Sequence, residues 1–297
     1  MKALVFGSCN LDFIYPVPRP APPEELKGAK PAQISPGGKG VNQAIALKKA
    51  GLDAYFAGKH GADGVLLRET LVKSGVDVSF LRQSAGISGQ AHIQVTPDGE
   101  NYILLLLPGA NREITREEID ETLSHFGAGD LLVLQNEVSE LPYMIESGFA
   151  RGMRVVMNPS PFSEAMTGLD YAKIWLVFVN ETEAQGLCRG AKPEDFIAEM
   201  RLRYPGLRWV VTLGENGSLY FDRDTFCRQS AFPANAVDTT CAGDTFTGYF
   251  TEALCRGLSP AEALRRASAA SAITVSRMGA AGVIPTAAEV DALIKDS

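Results

Sequence analysis

Ala236-Val-Asp-Thr-Thr-Cys-Ala-Gly-Asp-Thr-Phe-Thr-Gly248 runs from a short extended stretch through a turn of small residues into a helix that Asp244 opens and that reaches Cys255. At such a junction the backbone N–H groups of Cys241, Ala242 and Gly243 are left to point at an anion, with the helix dipole behind them. Asp244 stands beside that hole as a carboxylate able to take a proton from a hydroxyl, and phosphoryl transfer depends on this kind of positioning and charge neutralisation. Taken alone, the same acid is an ordinary helix cap. The rest of the chain decides between the two. A helix N-terminus lowers the pKa of an acid and of a thiol. Asp244 is therefore expected to be ionised at neutral pH and Cys241 to be reactive, the alternative for Cys241 being a buried small residue.

Outward from this stretch, strands and helices alternate. Apolar, β-rich runs fall at 2–6, 54–57, 131–134, 154–157, 175–179 and 208–213. Helical patterns fall at 41–50, 64–74, 116–126, 140–150, 192–204, 244–255 and 260–276. Unbroken apolar strands separated by helices predict an α/β fold whose parallel sheet is covered on both faces, a three-layer sandwich. Thr286-Ala-Ala-Glu289 is a capping box opening a last short helix. Two segments break the alternation. Residues 13–35 carry Pro16, Pro18, Pro20, Pro22, Pro23 and Pro31 and cannot be a buried strand throughout. Residues 90–107 alternate and turn at Pro97-Asp-Gly99, which predicts a hairpin. Both are candidates for a small β lid over a site at the carboxyl ends of the strands. With no repeats and no low-complexity linker, the 297 residues are expected to form a single domain with that lid.

Composition sets the outer limits. An apolar fraction of 45% is that of a globular protein, and a net charge of −7 argues against nucleic acid or an anionic membrane as partner. His60, His92 and His125 lie far from each other and from Cys at ligand spacing, so no zinc site is expected. Five cysteines without a CxxC pair, apolar runs too short to span a bilayer and no signal-peptide layout predict a reduced, cytoplasmic compartment.

Four further constellations bear on chemistry. In Gly7-Ser-Cys-Asn-Leu-Asp12 the side chains of Asn10 and Asp12 leave an extended segment on the same face, a clamp for vicinal hydroxyls or else a plain polar turn. Pro36-Gly-Gly-Lys-Gly-Val-Asn42 lacks the Ser/Thr and upstream glycine of a Walker loop and fails the dinucleotide pattern. It offers close backbone approach at Gly37 and Gly38, with Lys39 and Asn42 one turn apart. In Asn180-Glu-Thr-Glu183 a capping box competes with a role for Glu183 on a Mg²⁺ water and for Asn180 on a nucleotide phosphate. In Thr212-Leu-Gly-Glu-Asn-Gly217 two glycines allow the backbone to lie against a flat base, or simply make a turn.

GSxNxD, GGKGxNQA, NPSP, NETEA, TLGxxG and VDTTxAGDTFxG occur here in the order and spacing of the ribokinase family of carbohydrate kinases, the PfkB type, and the chain resembles that family from Ala3 to about Pro285. The surroundings of Asn10, Asp12, Gln135 with Glu137, and Asn158-Pro-Ser-Pro161 are most similar to those of its ribose-phosphorylating members. The resemblance implies a ribokinase-like fold and an ATP-dependent transfer to a sugar's primary hydroxyl, with D-ribose as the expected acceptor. Related kinases acting on a nucleoside, fructose or a keto-deoxy sugar acid, and a non-catalytic sugar-binding regulator on the same fold, are the alternatives. It further implies that Asp244 is the base and that the amides of Cys241, Ala242 and Gly243 hold the transferring phosphoryl group. Asn10, Asp12, Gly38, Lys39, Asn42 and Glu137 match sugar-binding positions, and Asn180, Glu183, Thr212, Gly214 and Gly217 the ATP side, with Glu183 near Mg²⁺. Asp238, Thr240, Thr274, Arg277 and Gly279 match a loop that holds a potassium ion through backbone carbonyls. Cys241 stands where the family often has Gly or Ala, and Val283 where a Ser often offers an oxygen. A homodimer joined through the lids is expected, with His92, Ile93, Ile103 and Leu105 supplying its apolar surface.

Overall fold

Leu4 and Phe6 leave strand β1 (Lys2–Phe6) on one face and Ala3 and Val5 on the other, and all four are buried. That double burial is the mark of a sheet sandwiched between helices. Each large side chain so buried contributes roughly 1.5–3 kcal/mol. The computed structural model describes residues 1–19, 32–96, 101–188 and 195–297.

The main sheet also contains β4 (Asp53–His60), β5 (Asp77–Gln83), β8 (Leu131–Gln135), β9 (Arg154–Asn158), β10 (Leu176–Asn180), β11 (Arg208–Thr212), β12 (Ser218–Phe221) and β13 (Phe226–Gln229). Its order is β13-β12-β11-β10-β9-β8-β1-β4-β5, with the run from β11 to β5 parallel and β12 and β13 antiparallel. Against Ala3 and Val5 pack α1 (Lys39–Ala50), α2 (Val65–Lys73), α7 (Ala242–Cys255), α8 (Pro260–Val275) and α9 (Ala287–Lys295). Against Leu4 and Phe6 pack α3 (Arg116–Leu123), α4 (Leu141–Ala150), α5 (Glu181–Leu187) and α6 (Phe196–Arg203). Gly248 brings α7 onto α1, since a Cβ there would lie 2.4 Å from the Ala46 methyl carbon.

The predicted three-layer α/β sandwich is the observed one. The capping box at Thr286 and Glu289 is formed, as are those at Thr115 and Glu118 and at Ser259 and Glu262. Sequence periodicity passes over β5, β12 and β13. Edge strands β5 and β13 are half exposed and interleave polar residues, so they lack the continuous apolar run of the inner strands. The helix expected over 192–204 is observed as Phe196–Arg203, its first positions lying outside the described residues.

A second sheet, β3-β2-β6-β7, is built from β2 (Asn10–Pro16), β3 (Gln33–Gly37), β6 (Gly89–Val95) and β7 (Asn101–Leu107). β2 is antiparallel to β3 and parallel to β6, and β6 is antiparallel to β7. This is the expected small β sheet, with strand structure entering the proline-dense segment at both ends, through Pro16 and from Gln33. Pro20, Pro22, Pro23, Pro31 and the turn at Pro97-Asp-Gly99 lie outside the described residues.

Candidate active site

Four neighbouring parallel strands end on polar residues, in register within two pairs. Gln135 of β8 pairs with Asn158 of β9, and Asn180 of β10 with Thr212 of β11. The carboxyl edge of the sheet is therefore lined with amides and a hydroxyl. Above it meet the first turns of α1 and α7 and the start of β2. Gly37 is where β3 turns toward α1, and the Asp12 carboxylate lies directly against it. A Cβ there would stand 1.9 Å from Asp12 Oδ2, so only glycine leaves room for the acid.

Asp244 is buried in the first turn of α7. Its Oδ2 accepts from Asn42 Nδ2 at 3.0 Å and its Oδ1 from Gln43 Nε2 at 2.9 Å. Gln43, fully buried, also donates to Asn158 Oδ1 at 3.2 Å and accepts from Gln135 Nε2 at 2.7 Å. Burial raises the Asp244 carboxyl above the ordinary carboxylate range, opposed by the Lys39 ammonium and then by the two amides. The depressed acid expected from the helix dipole is thereby corrected, because desolvation outweighs the dipole. Cys241 is corrected in the same way. Its thiol is buried and pushed well above the usual thiol range, first by burial and then by the Asp244 charge, so it is not an activated nucleophile. Its backbone sits at φ 68°, in the left-handed region, which turns the chain sharply into the helix. The first-turn amides follow, with Ala242 N–H donating to Thr239 O at 3.3 Å.

On the lid side, Asn10 is buried and its Oδ1 accepts from Asn111 Nδ2 at 2.8 Å, while Asn111 Oδ1 accepts from Cys9 N–H at 3.0 Å. Glu137 Oε2 accepts from the Ser8 hydroxyl and from Lys39 N–H, the latter at 3.2 Å. Asp244, Glu137 and Glu183 all act on Lys39. Burial alone would lower Lys39, but the Asp244, Glu137 and Glu183 carboxylates hold it above the ordinary lysine value. Glu137 is raised by burial against the pull of Lys39. Asp12 is pushed up to about 7 by burial and then by the charges of Glu137 and Asp244.

Two recesses open from this point. The smaller, about 250 Å³, is lined by Lys39, Asn158, Asn180, Glu183, Cys241 and Asp244 among others. The larger, about 690 Å³, runs from Gly214 and Gly217 past Phe232, Pro233 and Ala234 to Ser268 and Ala272 on α8. Thr212, Thr239 and Gly243 line both, so the two are continuous. The expected capping box is present, with Asn180 Oδ1 accepting from Glu183 N–H at 2.9 Å and Glu183 Oε2 from Asn180 N–H at 3.0 Å. Glu183 is buried and lines the smaller recess.

Asp238, Thr240, Thr274, Arg277 and Gly279 are brought together beside the end of α8. The Asp238 carboxylate accepts from Thr240 N–H at 2.9 Å and Gly279 N–H at 3.0 Å, tying two turns face to face. The Arg277 guanidinium is spent on Glu289 at 2.6 Å and on Val283 O at 3.3 Å. What these turns can offer a cation is backbone carbonyl oxygen, and Val283 adds no side-chain oxygen.

Gln43, Ser8, Asn111 and the 231–236 wall were not singled out as site residues by the sequence. Gln43 follows Asn42 within GGKGxNQA, and a glutamine leading directly into the apolar run Ala44–Leu47 is the available signal. Asn111 closes the Pro-Gly-Ala-Asn turn, which gives no hint of its partner.

Chemically, a buried carboxylate held by two amides stands between a recess of acids around one lysine and a larger apolar recess, beside a helix N-terminus. A family model described as "pfkB family carbohydrate kinase" matches residues 1–287. The chain is 33% identical over 302 residues to a ribokinase of Staphylococcus aureus, covering 98% of each. It is 32% identical over 303 residues to a deoxyribokinase of Salmonella typhi, covering 96% of each. The structure of Arabidopsis thaliana ribokinase complexed with ribose and ATP aligns with a TM-score of 0.85 at 29% identity, covering 99% of both chains.

Proposed function

The chain belongs to the pfkB family of carbohydrate kinases, ATP-dependent phosphotransferases, and from that premise we propose that it phosphorylates D-ribose to ribose 5-phosphate. One observation carries this reading: Asp244 lies where the lid-side acids and the large recess meet, at a helix N-terminus. In the proposed reaction the sugar's primary hydroxyl attacks the γ-phosphorus of ATP and the bond from that phosphorus to the β–γ bridging oxygen breaks. The hydroxyl proton passes to Asp244, and ADP leaves. The amides of Cys241 and Gly243 would hold the transferring group, whose charge is spread over its oxygens, and that of Ala242 would join them on leaving Thr239 O, to which it donates at 3.3 Å. Gly38, Lys39, Asn42 and Glu137 complete the sugar pocket begun by Asn10 and Asp12. Thr212, Gly214 and Gly217 carry the nucleotide.

Asn10 and Asp12 lie two residues apart on β2 and so share a face, which favours an acceptor with vicinal hydroxyls. The similarity to a deoxyribokinase supports 2-deoxyribose as the second reading. A coupled assay over ribose, 2-deoxyribose, fructose, keto-deoxy sugar acids and nucleosides tests both. Ribose should give the highest kcat/KM, and a better rate on 2-deoxyribose would replace the first reading with the second.

Mg²⁺ would supply charge neutralisation to the nucleotide phosphates, with Glu183 and Asn180 as the residues facing it. A potassium ion would sit among the carbonyls of the turns tied by Asp238, with one oxygen fewer because of Val283. The chain is read as one domain with its lid, working in the cytoplasm. Among the described residues no helix is long and apolar enough to cross a membrane. For the lid we propose a homodimer contact. Ile34 and Leu104, Leu105, Leu106 and Leu107 are exposed, whereas His92 stacks on Phe13 at 4.9 Å within the sheet and the Ile103 side chain lies outside the described residues.

A further inference from the structure

Two buried amide oxygens at the site, Asn42 Oδ1 and Gln135 Oε1, have no hydrogen-bond partner among the described residues. Each is the far end of an amide whose nitrogen points along a path to Asp244. Asn42 donates directly to Oδ2, and Gln135 donates to Gln43, which donates to Oδ1. An unpaired buried acceptor is costly, so something must hold these amides in this sense. At the other end Asn158 Nδ2 donates to the carbonyl of Phe178 at 3.0 Å, a backbone acceptor that cannot turn round. Asn158 therefore shows Gln43 its oxygen, and Gln43 must answer with its nitrogen. Turned the other way, Gln43 would set its oxygen against Asn158 Oδ1 and Asp244 Oδ1 and its nitrogen against that of Gln135. The direction of the Gln43 and Gln135 amides is thus fixed from the backbone of β10 as well as by the carboxylate of Asp244.

We propose that Gln43 is a positioning residue for Asp244. It donates to Oδ1 as Asn42 donates to Oδ2, and so fixes the plane of the carboxylate and favours its ionised form, leaving each oxygen a lone pair with which to take the hydroxyl proton. This rests on the reading of Asp244 as the base. The other ionisable groups facing that carboxylate are Lys39, which opposes its protonation, and Asp12, Glu137 and the Cys241 thiol, whose own titrations feel its charge. Gln43 adds to Lys39 the one element a point charge cannot supply, a fixed direction.

The test uses Gln43→Met, which keeps length and loses the donor, and Gln135→Met, which removes the donor to Gln43 Oε1 and so loosens the Gln43 amide, beside the unmodified protein and Asp244→Asn. For Gln43→Met, kcat should fall about ten- to a hundredfold, the worth of one charge-assisted hydrogen bond. KM for sugar and ATP should change far less. The acid limb of the kcat profile should move up by about one unit. Gln135→Met should shift the same limb in the same direction by less, and it carries the test if Gln43→Met does not fold. An infrared titration of the carboxyl band that Asp244→Asn removes should show the same displacement without any turnover. An unmoved limb and band in both variants, even with lowered kcat, would make Gln43 a packing residue and overturn the proposal. An unmodified protein that phosphorylates no sugar would overturn the functional reading instead, and the infrared titration would still decide for or against Gln43.

Discussion

Asp12 should make sugar binding depend on pH across the neutral range. Burial comes first among the causes that raise its carboxyl to about 7, followed by the charges of Glu137 and Asp244. A sugar hydroxyl donates more strongly to the ionised carboxylate than to the protonated carboxyl. With a midpoint near 7, the ionised fraction falls about tenfold between pH 8 and pH 6, and sugar affinity should fall by nearly the same factor. The floor is set by the charge-assisted hydrogen bonds themselves, roughly 1.5–3 kcal/mol or about ten- to a hundredfold. Calorimetric titration with ribose at pH 6, 7 and 8 without nucleotide measures this. At pH 7 the binding enthalpy should also vary with the ionisation enthalpy of the buffer, because binding expels a proton. Asp12→Asn should bind weakly and with the same affinity at all three values. The linked effect on stability has a definite sign. A folded-state pKa above the unfolded one means that this group's contribution is complete below the unfolded value and is lost as pH rises through about 7. A flat affinity in the unmodified protein, or an equal slope in Asp12→Asn, would refute the assignment of Asp12 to the sugar.

Asp244→Asn should retain the fold and ADP binding while kcat falls on the order of 10²–10⁴-fold; stopped-time product assays with calorimetry of ADP separate the two. Cys241, buried and with its thiol raised, should stay unalkylated in the native protein at pH 7.5 when digests are read by mass spectrometry, and its early labelling would show the turn to be open. Light scattering should give about twice the 31.8 kDa of one chain. Leu105→Glu, at a position that is 60% exposed, should return the mass to one chain without altering nucleotide affinity.

The fold was legible because its signal is local. Residues 2–6 read as a buried strand and residues 41–50 as a helix from their own composition, and both are formed, the helix two residues earlier. Most candidate site residues were legible for a related reason, since strand ends and helix starts are themselves local features. Asn180, Thr212, Lys39 and Asp244 each sit at one. Residues known only by their partners were hidden. Asn111 meets Asn10 across the lid, and Gln43 meets Asp244 across 201 positions of sequence; no spacing rule joins such pairs.

Charge was the other thing hidden, and its scale explains why. The sequence reveals that Asp244 and Cys241 stand at a helix N-terminus, an arrangement worth typically 0.3–1 kcal/mol, about 2 at most. It does not reveal how far from water they stand, and withdrawing an ion from water costs several kcal/mol in a real protein. The larger quantity governs both groups and raises them where the dipole alone would lower them. For the thiol, Thr245, Lys39 and Lys49 offset only part of it, and the side chain is held in its protonated form. For the carboxylate, Lys39, Asn42 and Gln43 each give back part of the loss, and this is why the acid is surrounded by donors. A base poised above its ordinary pKa takes a proton more readily than one held down by a dipole, so burial opposed by a measured set of partners serves the proposed step better than the dipole alone would.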